Sequence, residues 1–123
     1  MFIKSFQFAL EEYIEGISFY FFLKNGTLIS FEEINKFSKF QMTLEQYLLG
    51  ISDLTGELMK FTTNSFNEGD RDSPFIYLKF LQEIFICFKS VSYELPLINQ
   101  KLNVTENNLK KVEKICYDIK ITQ

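Results

Sequence analysis

Residues 43–66 read Thr-Leu-Glu-Gln-Tyr-Leu-Leu-Gly-Ile-Ser-Asp-Leu-Thr-Gly-Glu-Leu-Met-Lys-Phe-Thr-Thr-Asn-Ser-Phe. The spacing here predicts one long helix. Thr43 and Gln46, three residues apart, form a capping-box pair. Leu44, Leu48, Ile51, Leu58 and Phe61 then recur at helical spacing. Gly50 and Gly56 interrupt the helix, each costing about 1 kcal/mol relative to alanine. Such a cost implies that something approaches the backbone closely at both. Asp53 and Glu57 are four residues apart and share a face, about 6 Å from one another. At an effective dielectric of about 20 their repulsion is about 3 kcal/mol. A bound cation would relieve it.

Composition narrows the classes of function. The chain has 123 residues, enough for one domain. It is 46% hydrophobic and carries 15 Phe, so it has ample apolar surface to offset the entropy of ordering. It has no His, which removes a Ser-His or Cys-His nucleophile and a His general base together. Any chemistry must run on carboxylates, Lys, Tyr or a metal. Net charge is −3 and Arg71 is the single arginine, so no basic footprint of an autonomous nucleic-acid binder is visible. Cys87 and Cys116 fall on apolar helical stripes and lack metal-type spacing; buried free thiols are expected. The N-terminus has no basic region ahead of an apolar one. Residues 13–23 are very apolar but too short to span a bilayer, and they contain Glu15. The expectation is a soluble intracellular protein without a membrane segment, cytoplasmic and also nuclear.

On either side of the central stretch the periodicity is helical throughout. Residues 2–24 keep helical spacing at Phe2, Phe6, Ala9, Leu10, Tyr13, Ile14 and Ile17. From Phe19 to Leu23 the chain is apolar all round, which predicts a helix buried on most faces, closed at Lys24-Asn25-Gly26. Ser30 and Glu33 form a capping box for a short helix over 30–39. Asn67-Glu68-Gly69-Asp70-Arg71-Asp72 is a solvated turn; the later ligands and the glycine of an EF-hand are missing. Ser73-Pro74 opens the next helix as cap and first residue, with Phe75, Leu78, Leu81, Phe85 and Phe88 as its stripe. The last helix starts near Pro96. Its Ile98, Leu102, Thr105, Leu109, Val112, Cys116 and Ile119 alternate four and three apart. This seam is core in the plainer reading and a subunit contact in the sharper one. The fold class is all-α, an antiparallel helical bundle of about four long helices and one short one, in a single domain over 1–123.

Glu12 and Glu15 share a face of the first helix. Should that face meet the Asp53–Glu57 face, four carboxylates converge. An oxygen-only donor set suits Mg²⁺ or Mn²⁺, and such a site hydrolyses a phosphodiester without His. The competing reading is two solvated acidic faces.

Tyr47-Leu48-Leu49-Gly50-Ile51-Ser52-Asp53-Leu54-Thr55-Gly56-Glu57-Leu58-Met59 resembles the signature of the translin family, in its translin-associated factor X (TRAX) branch. Leu10-Glu11-Glu12-Tyr13-Ile14-Glu15 resembles the branch motif Leu-Gln-Glu-Tyr-Val-Glu. Leu28-Ile29-Ser30 with Glu33-Ile34-Asn35 resembles the next family segment. Asn64-Ser65, Gly69-Asp70, Pro74-Phe75, Lys111-Val112-Glu113 and Cys116-Tyr117 follow in family order. The resemblance covers nearly the whole chain. It implies a translin-type helical fold and a metal site of Glu12, Glu15, Asp53 and Glu57. Glu11 stands at the family's Gln position and is not carried over. It implies a Mg²⁺-dependent endoribonuclease subunit of a translin–TRAX-type hetero-oligomer. That complex cleaves RNA, including passenger strands of small interfering duplexes and tRNA-derived fragments. RNA would bind mostly through a translin-like partner. Family members carry about two further helices before the first motif, so an N-terminally shortened form is expected. The alternative is a non-catalytic helical interaction subunit that stabilises a translin partner.

Overall fold

The computed structural model describes residues 2–39 and 41–122, with side chains from Ser5 onward. Phe2, the first residue of the expected stripe, therefore lies outside the described side chains. The described residues form five helices and no strand: α1 (Phe2–Asn25), α2 (Phe31–Phe37), α3 (Leu44–Asn67), α4 (Ser73–Val91) and α5 (Pro96–Ile121). Contacts group the chain into two compact units, Met1–Leu54 and Thr55–Gln123. Helix α3 runs through the boundary.

Local chemistry sets the helix ends. At the start of α3 the Thr43 amide donates to Gln46 Oε1 at 2.9 Å and the Gln46 amide donates to Thr43 Oγ1 at 3.1 Å. Ser30 and Glu33 close the corresponding box on α2. Each box satisfies amides that a helix start would otherwise leave orphaned. Helix α3 ends in a Schellman pattern: the Asp70 amide reaches Ser65 O at 2.8 Å and the Gly69 amide reaches Phe66 O at 3.1 Å. Gly69 adopts φ +89° there, a left-handed conformation that glycine reaches without a Cβ penalty. The start of α4 differs from expectation. Its cap position is Asp72, without a side-chain cap bond, and Ser73 is already helical. Asp70 does the work instead: its carboxylate accepts from the Asp72 and Ser73 amides and from Ser73 Oγ. These bonds, the Ser73 hydroxyl first, hold the Asp70 carboxyl below its ordinary value of 3.8.

In the first unit, α1 buries one stripe, Leu10, Ile14, Ser18 and Phe22, each four residues on. The expectation of burial on most faces is not met. Phe6, Phe8, Tyr20 and Leu23 are 50–63% exposed, since α2 is only seven residues long and cannot sheathe a 24-residue helix. Tyr47 ties α3 to the segment before α2 by donating from its hydroxyl to the Ile29 carbonyl at 2.5 Å. In the second unit, α4 and α5 pack as a hairpin joined by residues 92–95. The α5 seam is buried at Ile98, Thr105, Leu109, Val112, Cys116 and Ile119, so it is core. On α4 the buried set is Pro74, Phe80, Leu81, Ile84 and Phe88, which drops Phe85 to the flank. Leu44, expected in the α3 stripe, is 43% exposed at the helix's first turn. Asn108 donates to Thr55 Oγ1 at 3.3 Å, and both residues are buried, so the pair satisfies part of its polar cost.

The two α3 glycines separate. A methyl group added at Gly56 would meet only Asn108 Nδ2, at 3.8 Å, an ordinary contact. The inferred close approach is therefore absent at Gly56, and it is present at Gly50. Gly56→Ala should raise the melting temperature by a few degrees, because helix propensity favours alanine by about 1 kcal/mol; a lower melting temperature would contradict the open space there. Asp70 has a depressed folded-state pKa, so its contribution is present above the unfolded value and lost as pH falls through the folded one. Asp70→Asn should therefore flatten the loss of stability below about pH 4, the ordinary carboxylate range, in denaturant titrations across pH. Unchanged acid sensitivity would rule Asp70 out as its source.

Candidate metal centre

Four carboxylates carry the expected site, and the structure places three of them in the first unit. Glu12 and Asp53 are exposed, and Glu15 is half-buried. Glu57 is half-buried on α3 in the second unit. Glu11, at the motif's Gln position, is half-buried on α1.

The fixed point between α1 and α3 is the contact of Ile14 with the backbone at Gly50. A Cβ built on Gly50 would lie 2.5 Å from Ile14 Cγ2 and 2.6 Å from Ile14 Cβ. Only glycine admits so close a backbone approach. Ile14 has no exposed surface, and Leu48, Ile51 and Leu54 around Gly50 are buried as well. Along the chain, Glu12 and Glu15 lie within two residues of Ile14. Asp53 lies three residues beyond Gly50, about 4.5 Å along the helix axis.

The donor set is all carboxylate oxygen, which is the chemistry a hard divalent cation takes. Among the described residues, no three His, Cys, Asp or Glu side chains stand close enough together to hold a metal ion. Glu57 has a resident cation: Lys60 Nζ lies 3.4 Å from its Oε1. The three-residue spacing of Glu57 and Lys60 puts the two on one helix face. The Lys60 side chain is 66% exposed and that of Glu57 37%, so the pair is weak and screened.

A second feature is an open apolar face on α1. A groove of about 520 Å³ runs along α1 and is lined by Tyr13, Ile17, Tyr20, Phe21, Ile29 and Phe37 among others. Lys24 sits at its rim with Nζ 5.2 Å from the Tyr20 ring centroid, a cation–π distance. Tyr20 and Phe37 are 60% and 66% exposed. The periodicity of α1 alone did not show which of its aromatic faces stays open. No described helix is long and apolar enough to cross a membrane.

The cysteines divide. Cys116 is buried as expected, and burial foremost raises its thiol pKa, with Glu113 adding and Lys120 opposing. Cys87 is exposed, contrary to the expectation of burial, because the α4 seam passes through Ile84 and Phe88 instead. Desolvation around its sulfur still raises its pKa.

The translin family model matches residues 1–123, and the chain belongs to that family. It is 35% identical to mouse translin-associated protein X over 92% of this chain and 48% of the relative. It is 34% identical to the Schizosaccharomyces pombe translin-associated protein X homolog over 89% of this chain and 48% of that protein. Chicken translin is 25% identical over 98% of this chain and 56% of its own length. Identity is thus higher with the TRAX proteins than with translin, and the chain spans about half the length of the TRAX relatives it matches.

Iodoacetamide at neutral pH should alkylate Cys87 first and leave Cys116 unmodified until denaturant is added. Equal rates by mass spectrometry would mean that the α4–α5 seam is open.

Proposed function

We propose that this chain is the TRAX-like subunit of a hetero-oligomer with a translin-like partner, and that the complex is a metal-dependent endoribonuclease. The observation that carries the reading is the presence of Glu12, Glu15, Asp53 and Glu57 within stretches that resemble TRAX motifs, in a chain 34–35% identical to TRAX proteins. The four carboxylates would hold Mg²⁺ or Mn²⁺. Such an ion, when bound, would supply a water activated at neutral pH and would neutralise charge on the scissile phosphate. The chain's own part is to orient the ligands and to accept the water's proton on a carboxylate, because it has no His to do so. To serve as a ligand Glu57 would give up its contact with Lys60, which is weak and screened. RNA phosphodiesters are the substrate class, with passenger strands of small interfering duplexes and tRNA-derived fragments as the particular substrates. The complex would work in the cytoplasm and also in the nucleus.

The net charge of −3 gives RNA no electrostatic reason to dock on this chain alone. The partner therefore supplies the cations. The open apolar groove of α1 favours a partner-stabilising role in the same assembly, and a non-catalytic subunit is the second reading. The seam of α5 does not add to that surface, because it is buried.

Asp53→Asn and Glu57→Gln are near-isosteric and remove charge. In the co-purified complex each should lower magnesium-dependent RNA cleavage by at least about a hundredfold, in line with the loss of a principal charge-stabilising group. RNA binding should persist and melting should hold or rise slightly. Cleavage at the wild-type rate in both variants would leave the non-catalytic reading standing.

A further inference from the structure

Helix α1 carries a second apolar stripe besides the one it buries. Phe6, Ala9, Tyr13, Gly16 and Tyr20 follow one another at steps of three and four residues, the heptad spacing of a seam against another helix. The buried stripe is a different set, Leu10, Ile14, Ser18 and Phe22. Phe6, Ala9, Gly16 and Tyr20 are exposed, and Tyr13 is half-buried. The seam runs for two heptads, about 21 Å along the helix axis. Its Tyr13, Gly16 and Tyr20 line the groove of about 520 Å³, together with Phe37 at the end of α2. A Cβ at Gly16 would meet nothing within 4 Å. Glycine in a helix interior is disfavoured relative to alanine, yet no other part of the described chain fills the room it leaves. Ala9, seven residues earlier, is small as well. Hollows one heptad apart are where the side chains of an apposed helix insert. A small-molecule ligand gives no reason for such a repeat.

Charge narrows the occupant. The unit that carries the seam, residues 1–54, holds four Lys and seven Asp or Glu side chains, so the net −3 of the whole chain resides there. A second copy would bring two units of the same sign together, whereas a basic chain is attracted. Lys24 is the cation at the groove. It lies over the Tyr20 ring, and among the described residues it has no ion pair. We propose that the exposed seam of α1 is the docking surface for one amphipathic helix of a basic partner chain. Large apolar side chains of that helix insert at Ala9 and Gly16, and one carboxylate meets Lys24 at the end of the groove. The proposal rests on the reading of this chain as a subunit that works with a translin-like partner, and it names the surface that the partner holds.

The test uses the full chain co-purified with a translin-like partner and reads, by mass photometry, the concentration at which the complex dissociates. Gly16→Leu fills the hollow and should raise that concentration about tenfold or more. Its helical circular dichroism should be unchanged, because the space around Gly16 is open. Tyr20→Ser should weaken assembly without filling anything, and it decides alone should Gly16→Leu misfold. Ile86→Ser removes a comparably exposed apolar side chain from α4 and should leave assembly at the wild-type level. Added salt should loosen the wild-type complex. The photo-reactive residue p-benzoylphenylalanine at position 20 should cross-link to a helix of the partner. Wild-type assembly in both groove variants overturns the proposal and leaves the subunit reading intact. A cross-link to a second copy of this chain overturns it by making the seam a homotypic contact. An equal loss in Ile86→Ser overturns it by showing that any exposed apolar side chain serves. A complex that tightens with salt overturns the basic occupant. Failure of the wild-type chain to co-purify with the partner overturns the subunit reading and the proposal together.

Discussion

The contact of the Ile14 side chain with the bare backbone at Gly50 is the constraint on which the first unit depends. It commits α1 and α3 to a separation that no other residue at position 50 permits. Its local cost is the weak helix propensity of glycine, about 1 kcal/mol. That cost is offset by burying Ile14 completely beside Leu48, Ile51 and Leu54. The capping box at Thr43 fixes where α3 begins, and with it which residue of the helix is presented at the crossing. Asp53 then follows one turn later as a matter of helical period.

Electrostatics work against this chain acting alone. Its acidic residues outnumber its cations, and the carboxylates of the proposed site would face a polyanionic substrate. The ion pairs Glu57–Lys60, Glu106–Lys110 and Asp118–Lys114 each join residues one turn apart on a helix surface. Such pairs trim local repulsion and do not knit elements together. The aromatic groove along α1 adds an unmet apolar demand in the same unit. A basic partner that covers apolar surface would answer both needs.

Much of the fold was legible in the sequence because helix signals are local. Capping boxes at Ser30 and Thr43, glycine after Asn25, proline at the start of α4 and α5, and the alternating seam of α5 all reappear in the structure. What escaped depends on which helix face meets which neighbour, and spacing alone does not carry that. Gly50 and Gly56 look alike in sequence, yet one is pressed by Ile14 and the other only touched by Asn108. Cys87 sits between buried Ile84 and Phe88 in the chain and is nonetheless exposed. Asp70 took the capping role expected of Ser73, because a turn can bring a carboxylate back from two or three residues upstream. The site residues were legible as types and spacings. Their candidacy came from resemblance, since helical Asp and Glu at these intervals also occur on solvated faces.

The most direct test of the account is a titration of melting temperature against Mg²⁺ for the co-purified complex at constant ionic strength. Ligand that binds only the folded state stabilises in proportion to the logarithm of its concentration once above its dissociation constant. The account predicts a continuing rise with Mg²⁺ that disappears when Glu15→Gln is combined with Asp53→Asn. A melting temperature independent of Mg²⁺ up to about 10 mM would contradict it.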